Sequence, residues 1–239
     1  MQTQNYDRYV TSHLGFVQKE NHEIMSRYFA KNYLRHLGKK TSQVLEIGCG
    51  LGSFLYFLQQ YGFVNYSAID LSEECVSSCI DMGLGSQANL ERADAFDFLK
   101  NSPKKFDVIV MNDVIEHIEK EKIVEMLKLI YVSLADGGRL IIKVVNSSNP
   151  VTGASSRYID FTHTICFTQE SLSQVLRLGG FSSFQVLPQD IWVFNPIVNG
   201  IGKLLQGGVN LLFRGLFLLY GRKSTTIFTK DIIVVAQKQ

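Results

Sequence analysis

The chain has 239 residues, of which 46% are hydrophobic and 19% charged, and its formal net charge is +2. That length suits one domain with an embellishment, and it can bury a core without disulfide or metal staples. The near-balanced charge gives no global case for nucleic acid, and no segment is polar enough for a long disordered tail.

Met1 to Lys19 is polar and lacks an apolar signal core, so secretion is not expected. Residues 14 to 37 read as a helical lead-in, with Phe16, Ile24, Tyr28, Phe29, Tyr33 and Leu34 on one stripe and Gly38 as its stop. Val44 to Ile47 is a short apolar strand running into a glycine turn, and Phe54 to Gln60 continues as a helix. Asn65 to Asp70 is a second strand, after which Ser72 can cap a helix. A third strand surrounds Leu90 to Ala93. Phe106 to Met111 is an unbroken apolar run, as expected of a strand covered on both faces. Glu121 to Leu134 reads as a crossover helix stopped by Asp136-Gly137-Gly138, and Arg139 to Val145 as the fifth strand. A polar loop, 146 to 166, precedes a helix opening at Thr168. Strands follow at Phe184 to Leu187 and Thr226 to Ala236. Strands alternating with helices imply parallel pairing and right-handed crossovers, hence a doubly wound α/β sheet.

Cys49, Cys75, Cys79 and Cys166 show no paired CxxC spacing. Cys75 and Cys79 fall on one helix face without a partner pair, which favours free thiols in a reducing cytoplasm over a zinc site.

In an open parallel sheet, ligands bind beyond the carboxyl ends of the strands. The first strand–helix turn here carries Gly48, Gly50 and Gly52. Alone, such a triplet can be a tight turn with no ligand. Three acids argue further. Glu46 precedes the turn, where it can face an ammonium. Asp70 ends the next strand, 22 residues beyond Gly48, where a carboxylate can take both ribose hydroxyls. Asp94, with Ala95, follows the third strand, where an acid and a backbone N–H can read an adenine edge. The spacing is GxGxG rather than the GxGxxG of dinucleotide sites, which makes a nicotinamide or flavin enzyme the weaker reading.

These residues resemble the class I S-adenosylmethionine-dependent methyltransferases. The resemblance covers roughly 40 to 190. It includes Val44 to Phe54, Asp70, Asp94-Ala95, the run Phe106 to His117, and Gly137-Gly138-Arg139-Leu140-Ile141-Ile142. It implies a seven-stranded, mostly parallel, Rossmann-like sheet with an antiparallel C-terminal hairpin. The chain reads as one domain with a helical lid (1–40), a cofactor-binding core (41–188), an apolar helical insertion (189–224) without a matched counterpart in that family, and a last strand (225–239). The resemblance also implies S-adenosylmethionine as cofactor, held by Glu46, Gly48, Cys49, Gly50, Gly52, Asp70, Leu71, Asp94, Ala95, Asn112 and Asp113. Tyr6 and Tyr9 would help close the pocket, with Tyr9 at the cofactor; an exposed start is the other reading. Tyr158 to His163 and Phe167 to Leu172, with Gly179-Gly180-Phe181, are similar to the branch holding ubiquinone-pathway and bacterial surface-glycan O-methyltransferases.

Methyl transfer to a hydroxyl gains from a general base. His163, on the loop after the fifth strand, is the first candidate, with Asp160 beside it; the pair can equally brace the loop. His117 is the second candidate. Asp113, Glu116 and His117 stand at i, i+3 and i+4, so a helix would put them on one face as a less favoured metal site.

Asn195 to Gly221 is strongly apolar, has no acidic residue, carries Lys203 and Arg214, and is broken by five glycines. The two cations and the glycines argue against a membrane span. A basic, apolar helical pair on a membrane surface through 197–220 competes with a lid or homodimer face. The leading function is O-methylation of a sugar hydroxyl in a bacterial surface glycan or lipid-linked precursor, by a cytoplasmic protein that can touch the inner membrane face. Methylation of a quinone precursor and a non-catalytic binding protein are the alternatives. Nucleic acid is not expected as partner, for want of a basic stripe with interleaved aromatics.

Overall fold

The computed structural model describes residues 22–84, 88–189, 195–222 and 226–239. The elements are α1 (His22–Asn32), β1 (Val44–Ile47), α2 (Ser53–Gln60), β2 (Tyr66–Asp70), α3 (Glu73–Asp81), β3 (Ala88–Arg92), α4 (Ala95–Asn101), β4 (Phe106–Asn112), α5 (Ile123–Ser133), β5 (Leu134–Val145), α6 (Gly153–Tyr158), α7 (Gln169–Leu178), β6 (Ser183–Pro188), α8 (Pro196–Leu219) and β7 (Asp231–Gln237). They form a seven-stranded sheet in the order β3-β2-β1-β4-β5-β7-β6. β1 to β5 pair in parallel, while β7 runs antiparallel to both β5 and β6. The order reverses between β1 and β4, so the turn after β1 opens at the switch point where a crevice forms.

Alternate residues of the central strands feed two cores, as the period of two requires. Ile109 and Met111 of β4 and Leu140, Ile142 and Val144 of β5 join Leu127, Ile130, Leu172 and Leu176 of α5 and α7 on one face. Val108, Val110 and Ile141 point to the other face, against α1 and α2. That second core is aromatic: Phe29 meets Phe54 edge-on at 5.1 Å, and Phe54 lies 5.5 Å from Phe57. This packing fixes α1 across the start of α2, beside the glycine turn.

Local chemistry sets several boundaries. Ser72 caps α3 by accepting from Cys75 N. Thr168 and Ser171 form a reciprocal capping box at α7. Three expectations are corrected. β5 begins at Leu134 rather than Arg139, because buried Leu134 pairs with Phe106 and the Asp136-Gly137-Gly138 segment forms an irregularity within the strand. β7 begins at Asp231 rather than Thr226. The preceding carbonyls are taken by side chains: Asn146 Nδ2 donates to Ile227 O at 2.8 Å and Thr229 O at 2.9 Å, and Asn149 Nδ2 to Phe228 O at 2.8 Å. The insertion is one 24-residue helix, α8, not a helical pair. Asn195 Oδ1 caps it, accepting from Ile197 N and Val198 N, and its glycines continue the helix despite about 1 kcal/mol each against alanine.

α8 turns its polar side inward. The half-shielded positions are Asn199, Gly202, Gln206, Asn210, Phe213 and Phe217, three or four residues apart. Of these, Phe213 and Phe217 pack on Phe228. Ile197, Ile201, Leu204, Leu211 and Leu219 face out, Leu204 at 79% exposure. Among the described residues no helix is long and apolar enough to cross a membrane. The four cysteines are free, three of them buried, and none joins a metal-competent cluster among the described residues.

Candidate active site

A cavity of about 440 Å³ opens over the carboxyl ends of β1, β2 and β4. Its floor is the turn after β1, where Gly48, Gly50 and Gly52 have φ of 76°, 49° and 80°. An added Cβ on Gly48 would stand 2.4 Å from Val114 Cγ2, so backbone and side chain approach too closely there for any other residue. Gly52 differs from its expected role. It faces away from the cavity, where a Cβ would meet Leu84 Cδ1 at 2.6 Å and Cys79 Sγ at 2.9 Å. It serves the packing of the turn on α3.

Each acid takes a defined position along the cavity. Glu46, almost wholly buried, accepts from Asn112 Nδ2 at 3.3 Å, and Asn112 Oδ1 accepts from the Tyr33 hydroxyl at 2.7 Å. Tyr33 is thereby a positioning group for Glu46 supplied by the chain just after α1. Asp70 accepts from Gly50 N and Ser72 N, both at 2.9 Å. Burial raises the Asp70 pKa, while its backbone N–H partners at Ser72, Gly50 and Leu71 hold it down. Asp94 caps α4 through Oδ1, accepting from Phe96 N at 2.8 Å and Asp97 N at 3.2 Å. Leu71, Ala95, Cys49 and Gly50 line the same cavity. Tyr6 and Tyr9 lie outside the described residues.

Asp113, Lys143 and His117 also line the cavity. Asp113 is the one non-glycine residue with positive φ (54°) among the described residues, a conformation aspartate tolerates better than most. It ion-pairs with Lys143. Burial opposes the Lys143 charge, but Asp113, Tyr28 and Asp231 outweigh it and hold the ammonium pKa above its usual value. Glu116 is wholly buried, and neither of its carboxylate oxygens has a hydrogen-bond partner. Burial first, then the nearby Asp113 charge, pushes its pKa well up and favours the neutral acid.

The structure does not bring Asp113, Glu116 and His117 together. Only a 3₁₀ turn, Ile115–His117, follows β4, and Asp113 precedes it in a left-handed conformation, so no helical face carries the three. Instead His117 meets the loop between α6 and α7. Its Nδ1 is 2.8 Å from Thr162 Oγ1, and its ring lies 4.7 Å from that of His163, edge to face. Asp160 accepts from Thr162 N at 2.8 Å and from its hydroxyl at 2.6 Å, bracing the loop. His163 is 9% exposed and its Nδ1 bonds Ser156 O at 2.9 Å. Of the two histidines, only His117 lines the cavity.

Tyr28, Tyr33, Lys143, Thr162 and Asp231 escaped the sequence reading. Lys143 gave a signal, as a lone cation inside the apolar run Leu140 to Val145. Tyr28 and Tyr33 were indistinguishable from core positions on an apolar stripe.

Residues 20–186 match the family model described as a methyltransferase domain. Among curated proteins the chain is similar to phosphoethanolamine N-methyltransferase 1 of Arabidopsis thaliana, 26% identical over 170 residues, covering 70% of this chain and 33% of that protein. Phosphoethanolamine N-methyltransferase 3 of Arabidopsis thaliana is 30% identical over 114 residues, 47% of this chain and 23% of that protein. The chain thus spans a third or less of these relatives. Among solved structures, an S-adenosylmethionine-dependent methyltransferase from Archaeoglobus fulgidus superposes with TM-score 0.70 at 22% identity, covering 97% of this chain and 100% of that one. Phosphoethanolamine N-methyltransferase 2 of Haemonchus contortus does so with TM-score 0.63 at 17% identity, covering 100% and 60%. The likeness extends along the whole fold.

Proposed function

The chain belongs to the methyltransferase-domain family, and on that premise we propose that it transfers the methyl group of S-adenosylmethionine to a hydroxyl acceptor, a sugar of a surface glycan or lipid-linked precursor. The observation that carries the donor is one cavity with Glu46, Asp70 and Asp94 spaced along its wall around a positive-φ glycine turn. Glu46 suits an ammonium, Asp70 a ribose diol and Asp94 with Ala95 an adenine edge, and the cavity size lies within the ordinary range for small-ligand sites.

The donor carries a methyl on a sulfonium, and the reaction breaks the C–S bond as the acceptor oxygen forms the new one. The chain's main contribution is alignment, which can supply about 7–11 kcal/mol. On the acceptor side His117 is the wall residue best placed to take the acceptor's proton, and Thr162 and Asp160 hold its ring. His163 supports His117 from behind rather than facing the cavity.

α8 bears on where the acceptor is met. Its apolar side faces out, its polar side in, and the described segment 195–222 has cations at Lys203, Arg214 and Arg222 but no acid. An in-plane helix on an anionic membrane surface fits this charge and this orientation, with the long cationic side chains reaching the headgroups. A lipid-linked acceptor would then be met where it resides. An amine acceptor is the second reading, and the names of the curated relatives favour it.

The test is transfer of labelled methyl from S-adenosylmethionine to lipid-linked sugars and, separately, to phosphoethanolamine. Label on the sugar supports the hydroxyl reading; label only on phosphoethanolamine replaces it. Failure of S-adenosylhomocysteine to bind in calorimetry would falsify the donor assignment.

A further inference from the structure

Two imidazoles and a carboxylate converge where the turn after β4 meets the loop between α6 and α7. A ring nitrogen of His117, a ring nitrogen of His163 and a carboxylate oxygen of Asp160 all lie within 4.8 Å of one another. No other trio of such groups does so among the described residues.

The neighbours fix where the ring protons sit. Asp160 Oδ1 accepts from the Thr162 hydroxyl at 2.6 Å. A hydroxyl has one proton, so toward His117 Nδ1, 2.8 Å away, the Thr162 oxygen must accept. His163 Nδ1 faces the Ser156 carbonyl, which can only accept. In the neutral form, each ring therefore carries its proton on Nδ1, which leaves Nε2 as the nitrogen with a lone pair for a metal ion. An Nδ1–H held by a carbonyl, or by a hydroxyl itself tied to a carboxylate, is the support that metal-ligating histidines characteristically have.

We propose that His117, His163 and Asp160 bind one divalent transition-metal ion at the acceptor end of the cavity. Two imidazoles and one carboxylate suit zinc, manganese or iron(II) rather than magnesium or calcium, which prefer oxygen. Three protein ligands leave a position open to water or to an acceptor oxygen. Because His117 also lines the cavity, the ion would adjoin the acceptor. Its charge would then lower the acceptor hydroxyl's pKa in place of a free imidazole. That role rests on the methyltransferase reading; the binding does not.

The experiment uses full-length, untagged protein stripped with a chelator. It is titrated by calorimetry with zinc and with manganese, and with cobalt(II) followed by visible absorption. One ion per chain is expected. His163→Ala and Asp160→Asn should each weaken it at least tenfold. Thr162→Val keeps all three ligands but loses the hydroxyl that orients them, and should weaken it about 10–100-fold. His36→Ala, outside the cluster, should change nothing. S-adenosylhomocysteine titrated into every variant reports folding and the donor site separately. Variants that bind it but show unaltered ion affinity overturn the metal site, as does a wild-type protein that binds it and no ion. An ion bound with these mutational effects but no S-adenosylhomocysteine leaves the site standing and removes the donor reading.

Discussion

Lys143→Met tests whether the buried charges beside the cavity form one mutually dependent group. Methionine keeps the unbranched apolar stem and removes the ammonium. Lys143 stands opposite Asn112 on one side and Ile233 on the other, in the interior of the sheet. Asp113 loses its ion pair, and Asp231 loses the stronger of the two cations that hold its pKa down, Lys230 remaining. Asp113, 44% exposed at its side chain, can turn to water. Asp231, at 5% exposure, cannot. Breaking a buried pair costs about 3–5 kcal/mol, and rehydration of Asp113 puts this case near the lower end, about 3 kcal/mol. For a chain of this size that corresponds to a fall in Tm of about 6–12 °C. The pH dependence follows from Asp231. Burial already raises its pKa, with Lys143 pulling the other way; without Lys143 the folded-state value rises further. A carboxyl whose folded pKa exceeds its unfolded value favours folding at low pH and loses that contribution as pH rises through the folded value. The deficit of the variant should therefore be smaller at about pH 5 than at about pH 8, growing in the direction in which Asp231 ionises. Urea unfolding at both pH values measures it, and adding Asp231→Asn should restore much of the loss. A deficit below about 1 kcal/mol, or one that grows on acidification, refutes the reasoning.

The remaining predictions concern the two ends of the site and the outer helix. Asp70→Asn should weaken S-adenosylhomocysteine binding about tenfold to a hundredfold, as expected on losing a charged hydrogen-bond acceptor, with the fold retained by circular dichroism. Gly48→Ala should destabilise by about 1–3 kcal/mol and abolish detectable cofactor binding, because its Cβ would run into Val114 at φ 76°. His117→Ala should lower kcat about 10²-fold or more with little change in cofactor affinity. The double substitution Leu204→Glu with Leu211→Glu should release the protein from anionic vesicles in sedimentation without altering cofactor binding; if it instead leaves vesicle binding intact and splits a dimer, α8 is a subunit interface.

The glycine turn and its acids were legible because their determinants are local. Three glycines within five residues, an acid just before them and acids at the ends of the next two strands are separations that a strand–turn–helix unit fixes without knowledge of the tertiary structure. Caps such as Ser72 and Thr168 were legible for the same reason. The groups that surround and position these residues were not, because they are assembled from distant segments. Tyr28 and Tyr33 come from the lead-in region, Lys143 from β5, Thr162 from a loop and Asp231 from the start of β7. Spacing around His117 suggested a helical face with Asp113 and Glu116, but the chain makes only one 3₁₀ turn there. The partners of His117 come instead from some forty residues downstream. α8 shows a third kind of limit. Periodicity in 195–222 identifies an amphipathic helix, yet it cannot say which side faces the protein. Burial in a soluble core would place the leucines inward, and here Asn199, Gln206 and Asn210 take that side. With Leu219 at 83% exposure beside Tyr220, the outward apolar face leaves a large favourable burial unmade, at roughly 25 cal/mol per Å². A helix that forgoes that gain against its own core has its apolar complement elsewhere; on the membrane-surface reading proposed above, an anionic bilayer would be that complement and would also match its cations.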